Sequence, residues 1–203
     1  MTKTFFISDL HLSHERIATV FTKEDGTPAR VHPERGDRFQ SAEEMDELMI
    51  ERWNKVVSSG DRVYVIGDFV MHRAALSKVQ RLNGRICLIK GNHDLFKISD
   101  YLTRCPNIDK YEGVVMFPKL GWVCTHIPVH ERQLQGRWTH NIHGHLHNGR
   151  VTKKETIYVD CFTINWKEPR AIDVIDERYF NVSVEQIDYT PIDLEDLKER
   201  LKI

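Results

Sequence analysis

Residues 86–94 read ICLIKGNHD. Four consecutive apolar residues, Ile86 to Ile89, run into Lys90, a Gly91-Asn92 turn, and then a histidine and an aspartate. A short, continuously apolar run closed by turn formers is a strand buried on both faces. Two other segments repeat the plan: residues 62–68, RVYVIGD, end in Gly67-Asp68, and residues 4–11, TFFISDLH, end in Asp9-Leu10-His11. In an α/β sheet the loops beyond the carboxyl ends of the strands form the ligand crevice. Three strands thus carry Asp, His, Asp, Asn and His towards one edge. Singly, Gly-Asp and Gly-Asn are ordinary turns, and Asp9-x-His11 alone reads more readily as an N-cap aspartate and a surface histidine; their coincidence carries the inference. Alternation puts Asp9 and His11 on one face, where a carboxylate and an imidazole suit one metal ion.

Working outward, Trp122–Thr125 (WVCT) reads as a further strand, and Val114–Phe117, Asn141–His143, Thr156–Asp160 and Asn181–Val184 as additional ones. Between the first two strands lies Ser41–Ser58, in which Ser41 and Glu44 form a capping box and Met45, Leu48, Met49, Trp53 and Val56 share one helical face. Ala74–Leu82 and Asp193–Leu201 are two shorter helices. Strand–helix–strand alternation in the first half predicts α/β architecture, and the strand-rich second half a second sheet packed on the first. Residues 22–40 form a polar, Gly- and Pro-containing loop of a length that is usually functional or mobile.

The chain of 203 residues is expected to form one domain, 1–203. Twenty-nine basic and 30 acidic residues give a net charge of −1, which argues against an extended nucleic-acid surface. The 40% hydrophobic and 29% charged content suits a globular chain, and no apolar run spans a bilayer. Asp9 and His11 interrupt any signal-peptide core. Cys87, Cys105, Cys124 and Cys161 are far apart without a CxxC pair, so a reduced, cytoplasmic protein is expected, its thiols serving as apolar filler. A homo-oligomer is left open. The unusual number is 11 histidines, many of them clustered.

Thr125-His126 closes the WVCT strand, and His143-Gly144-His145-Leu146-His147 places two imidazoles two residues apart beside a glycine. A structural zinc site would close on one tetrahedron; seven candidate ligands exceed that and fit two metals. Nitrogen and oxygen donors without thiolate suit Mn, Fe, Zn, Ni or Co rather than Ca or Mg.

The ordered set Asp9-x-His11, Gly67-Asp68, Gly91-Asn92-His93-Asp94, Thr125-His126 and Gly144-His145-x-His147 resembles the calcineurin-like metallophosphoesterases. Arg38-Phe39, EEMDELMIERWN and Gly67-Asp68-Phe69, with Asn181–Glu195, are similar to a small bacterial and phage branch of that superfamily. The resemblance implies a four-layer α-β-β-α sandwich of two mixed sheets flanked by helices. It implies that Asp9, His11, Asp68 and His147 hold a first metal and Asp68, Asn92, His126 and His145 a second, with manganese favoured. A hydroxide bridging two such cations would attack phosphorus in line. His93 would stand near the leaving group as proton donor or transition-state stabiliser, a role suited to imidazole, and Asp94 would orient nearby groups. Protein phosphatases of the superfamily carry a further Asp where this chain has Met71. The implied activity is therefore a phosphodiesterase on small or nucleotide-like substrates. The alternatives are a phosphomonoesterase, a single-strand nuclease or, last, a non-catalytic scaffold. His14 and Arg38 are candidate substrate contacts, each balanced against a surface role. His130 and His143 are candidate supports for the metal-binding imidazoles. Phe39 and Trp138 are candidates for stacking on a base, each weighed against a core or rim position.

Overall fold

A computed structural model describes residues 2–161 and 166–202, with side chains described outside 159–168. In chain order the strands are β1 (Thr4–Ile7), β2 (Arg62–Ile66), β3 (Arg85–Ile89), β4 (Ile108–Glu112), β5 (Val115–Phe117), β6 (Trp122–Cys124), β7 (His140–His143), β8 (Thr152–Cys161), β9 (Trp166–Ile175), β10 (Tyr179–Asn181) and β11 (Ile192–Asp193). The α-helices are α1 (Glu15–Thr19), α2 (Ala42–Val56), α3 (Leu76–Val79), α4 (Ile98–Arg104) and α5 (Leu194–Arg200).

Two mixed sheets form the centre. The first runs β11-β1-β2-β3-β4, parallel from β1 to β4 and closed on one side by antiparallel β11; the second runs β10-β7-β6-β5, antiparallel only at β5. Aromatic rings from both sheets make the seam. Phe6 of β1 lies 5.6 Å from Phe117 of β5 and 6.3 Å from Trp122 of β6, and Tyr64 of β2 lies 5.1 Å from Phe117. Strand alternation explains which side chains meet: Trp122 and Cys124 enter this seam, whereas Val123 between them joins Leu134 and Tyr179 on the outer face. That outer face is covered by a 3-10 turn, Glu131–Leu134, rather than by a long helix. Phe5, Phe6 and Ile7 are all buried, as expected for a strand covered on both sides.

Helix α2 confirms the sequence reading with two adjustments. The Ser41 hydroxyl accepts from the Glu44 amide (3.1 Å), but the Glu44 carboxylate accepts from the Gln40 amide (2.8 Å), one residue before the box partner. Met45, Met49 and Trp53 are buried, while Val56, at the frayed end, is 36% exposed. The segment expected to be one helix over Ala74–Leu82 divides into a 3-10 turn, Arg73–Ala75, and the short α3. The strand expected over Asn181–Val184 corresponds only to the end of β10, and Val184 opens a 3-10 turn through Gln186. Strands β8 and β9 pair only with each other, from Thr152↔Ile175 to Cys161↔Trp166. Cys87, Cys105 and Cys124 are buried free thiols; the side chain of Cys161 lies outside the described residues. No helix among the described residues is long and apolar enough to cross a membrane.

Candidate metal centre

The loops following β1, β2, β3, β6 and β7 converge at the carboxyl edge of the parallel strands. They do so through unusual backbone geometry. Asp9, His11, Asp68, His145 and His147 all have positive φ, between 47° and 68°. Non-glycine residues held there cost of the order of 1–3 kcal/mol each and persist only where surroundings over-determine them. Asp9 and His11 therefore face one point because of this left-handed backbone, not because of strand alternation, since β1 ends at Ile7. The surroundings supply the constraint: the amides of Asp9 and His11 donate to the carbonyls of Gly67 (3.0 Å) and Asp68 (2.9 Å), locking the first loop to the second. Glycines allow the close approach. A Cβ at Gly91 would collide with the Asp68 carboxylate, and one at Gly144 with Ser8 Oγ and Asp9 Oδ2.

Asp9 Oδ2 accepts from the His145 amide and from Ser183 Oγ, both at 2.9 Å, whereas Asp9 Oδ1 is buried without a hydrogen-bond partner. His11 Nε2 is likewise buried and unpartnered, 3.8 Å from Asp9 Oδ1 and 3.6 Å from Asp68 Oδ2. His147 Nε2 lies 3.8 Å from the same Asp9 oxygen. On the other side, His126 Nε2 lies 3.3 Å from Asp68 Oδ2. His126 Nδ1 donates to the Ile66 carbonyl (2.8 Å), so in the neutral ring Nε2 is a bare lone pair, and it faces Asn92 Oδ1 at 2.9 Å. His145 Nδ1 reaches that same Asn92 oxygen at 3.0 Å. Lone pairs pointed at one another, with orphaned buried donor atoms beside them, fit a cation between them. Two ligand groups stand out, Asp9-His11-His147 and Asp9-Asp68-His126, each with its ligand atoms within 4.8 Å of one another. The seven sequence candidates are thus brought to one edge, with Asp9 shared and Asp68 between the imidazoles of His11 and His126.

The electrostatics are those of a cation site. Burial disfavours ionised Asp9, but the adjacent imidazole of His11 and the charges of His147 and His126 hold its carboxyl well below the usual carboxylate range. Asp68 is also lowered, burial being outweighed chiefly by His126. Burial lowers His11 and His145, while in His126 and His147 burial is outweighed by carboxylate neighbours and the pKa rises. The partner of His147 is Glu185, whose Oε1 accepts from His147 Nδ1 at 3.0 Å and from Arg30 Nε at 2.7 Å. Burial opposes the Glu185 charge, yet Arg30 and His147 bring its pKa down to about 2. Arg30, fully buried, also donates to the carbonyls of Leu10 (2.9 Å) and Asp9, tying the long polar loop beneath the first motif. Neither Arg30 nor Glu185 was legible as a site residue: one sits in a polar loop, the other follows a short strand, and they are 155 positions apart.

His93 donates its amide to Asp68 Oδ1 (2.8 Å), and its ring, exposed, stands 5.4 Å from that of His11. Asp94 does orient its neighbours: its carboxylate accepts from the amides of Asp68 (2.9 Å), Gly91 (2.9 Å) and Phe69 (3.1 Å) and from Tyr101 Oη (3.1 Å). His14 lines the cleft beside His11, and its Nδ1 accepts from the Ile17 amide (3.2 Å) as cap of α1. Burial brings its pKa down to about 4. Arg38 is not brought into the cleft: its guanidinium donates to the Phe21 carbonyl (2.8 Å) and stabilises the loop. His130 is exposed, and its Nδ1 accepts from the Arg132 amide (3.2 Å) as cap of the turn at Glu131. His143 is buried, its Nδ1 donating to the Gly144 carbonyl at 2.8 Å. Phe39 belongs to the core, and Trp138 packs on the outer cluster against Arg137. Met71, where protein phosphatases carry an acid, rests its sulfur 3.3 Å from His11 Nδ1.

Comparisons with known proteins bear on the family and the fold. The sequence model of the family described as calcineurin-like phosphoesterase matches residues 2–192. An uncharacterised protein of Methanocaldococcus jannaschii is 28% identical over 187 residues, covering 86% of this chain and 90% of that one. The gene 66 protein of Mycobacterium phage L5 is 30% identical over 99 residues, 46% of this chain and 41% of its own. Among solved structures, a protein of unknown function from Aquifex aeolicus superposes with a TM-score of 0.61 at 22% identity, covering 98% of this chain and 99% of that one, a likeness of fold.

Proposed function

Because the chain belongs to the calcineurin-like phosphoesterases, hydrolases of phosphoric esters, we propose that it is a two-metal phosphodiesterase acting on small or nucleotide-like esters. The observation that carries this reading is Asp68 Oδ2, which lies 3.6 Å from His11 Nε2 and 3.3 Å from His126 Nε2, with Asp9 Oδ1 and His11 Nε2 beside it buried and unpartnered. Asp9, His11, Asp68 and His147 would hold one cation, and Asp68, Asn92, His126 and His145 the other, with manganese the favoured occupant of a nitrogen–oxygen donor set. Two bound divalent cations would neutralise phosphoryl charge and acidify water. The protein supplies the rest. Asp94 holds the Asp68 and Gly91 amides, and Asp68 in turn holds the His93 amide, which ties the His93 backbone to the candidate ligand loop. The His93 ring lines the cleft beside His11 and would deliver a proton to the departing ester oxygen. Glu185 and Arg30 fix the orientation of His147.

The test is Asp68→Asn. Its metal affinity is expected to fall by more than the roughly 10–100-fold that outer hydrogen-bond partners command, so that metal content read by elemental analysis drops and hydrolysis of a chromogenic diester with it. Full metal content and an unchanged rate would overturn the assignment. A panel of monoesters, diesters and single-stranded oligonucleotides separates the phosphodiesterase from the phosphomonoesterase and nuclease readings.

A further inference from the structure

The cleft that opens from the candidate metal centre is much larger than a phosphoryl group needs, about 880 Å³. Ligand sites of roughly 300–1,000 Å³ enclose small organic molecules. Its lining joins His11, His93 and His147 of the candidate centre to the apolar side chains of Ile17, Phe21, Ala29 and Leu146, with the His14 ring between those of His11 (5.7 Å) and Phe21 (5.6 Å). Phe21 is the aromatic residue among these apolar side chains, 38% exposed beside a site where every sequence candidate for stacking is absent. The Arg16 guanidinium lies over its ring, 4.9 Å from the centroid, and the His14 ring meets it edge-on at 5.6 Å. One face of Phe21 is thus covered by a cation, Arg16, while the residue stays 38% exposed and lines the cleft. The rim beyond carries the carboxylates Glu24 and Asp25. Lys23 stands beside them in the same lining, so the rim offers charges of both signs and donors as well as acceptors to a polar group.

On the phosphoesterase reading above, we infer that the cleft beside Phe21 binds a planar aromatic group carried by the phosphoester, with Phe21 as its stacking wall. A nucleobase and a simple aryl group share this chemistry. Stacking of a base on an aromatic side chain is sequence-tolerant and is lost on truncation of the ring.

Calorimetric titration of the metal-loaded protein with inorganic phosphate, methyl phosphate, phenyl phosphate, adenosine monophosphate and adenosine tests the inference. The two aromatic phosphates should bind at least about tenfold tighter than methyl phosphate. Phe21→Leu should bring them down to the methyl phosphate level, leave inorganic phosphate unchanged, and be rescued by Phe21→Trp. Adenosine monophosphate binding above phenyl phosphate assigns the group to a nucleobase, and the reverse order to an aryl ester. Equal affinities of aromatic and methyl phosphates in the unmodified protein, or aromatic binding indifferent to Phe21→Leu, would overturn it. Phe21-dependent binding of adenosine with no binding of any phosphate would keep the pocket and overturn the phosphoester reading instead.

Discussion

Asp9 shows how much one side chain carries. One oxygen is satisfied by the His145 amide and Ser183, and the other is left facing two imidazoles. His93 differs in kind, because only its backbone amide is bound to Asp68. His93→Ala is therefore expected to keep its metal content while the turnover number falls by roughly 10²–10⁴; loss of metal on that change would make His93 a ligand instead. Glu185 holds a buried arginine and a metal-facing histidine at once. Glu185→Gln should weaken metal affinity by roughly 10–100-fold and, by leaving Arg30 less compensated, cost about 3–5 kcal/mol in denaturant unfolding. Its pH signature has a defined sign. The folded pKa lies below the ordinary 4.5, at about 2, so the contribution is complete above pH 4.5 and is lost as pH falls towards 2. Glu185→Gln should flatten stability against pH in that window.

Among the elements, α2 shows where periodicity predicts and where it overreaches. Trp53 is fully buried and its Nε1 donates to the Asn83 carbonyl (2.9 Å), so Trp53→Ala should cost about 3–5 kcal/mol by thermal or urea unfolding. Val56 shares the same helical face in sequence but sits at the end of the helix beyond the packed surface. Val56→Ala should stay within about 0.5 kcal/mol. The buried Asp46 on α2 ties this helix to the loop after β1, accepting from the Ser13 amide (2.9 Å) and from Lys78 Nζ of α3 (2.7 Å). Helices thus register the ligand loops as well as covering the sheet.

Taken as a whole, the molecule closes its site with its last quarter. The Ser8 amide donates to the Val182 carbonyl (2.9 Å), the Val184 amide returns to Ser8 (3.1 Å), and β11 pairs with β1 through Phe5↔Asp193 and Phe6↔Ile192. A chain ending at residue 180 retains all seven candidate ligands yet loses these contacts together with Ser183 and Glu185. It should show no cooperative melt by circular dichroism and no metal binding by calorimetry; a melting chain with native metal affinity would refute the coupling. The balanced charge of −1 gains a meaning here, since bound cations in this centre would attract phosphate without a basic surface.

The residues that meet at the candidate metal centre and most strands were legible in the linear chain, because a buried strand must be apolar and a candidate ligand is an Asp, His or Asn, both local properties of residues such as Ile86 to Asp94. The same locality explains the two sheets and the capped start of α2. Arg30, Glu185 and Ser183 could not be seen, since their partners lie up to 174 positions away and no spacing announces them. Nor could the left-handed backbone at Asp9 and His11 be read, or the exclusion of Arg38 and the arrival of Phe21 in the cleft. These follow from how loops stack once the sheets have formed, when long-range hydrogen bonds and packing hold conformations that no local preference would choose.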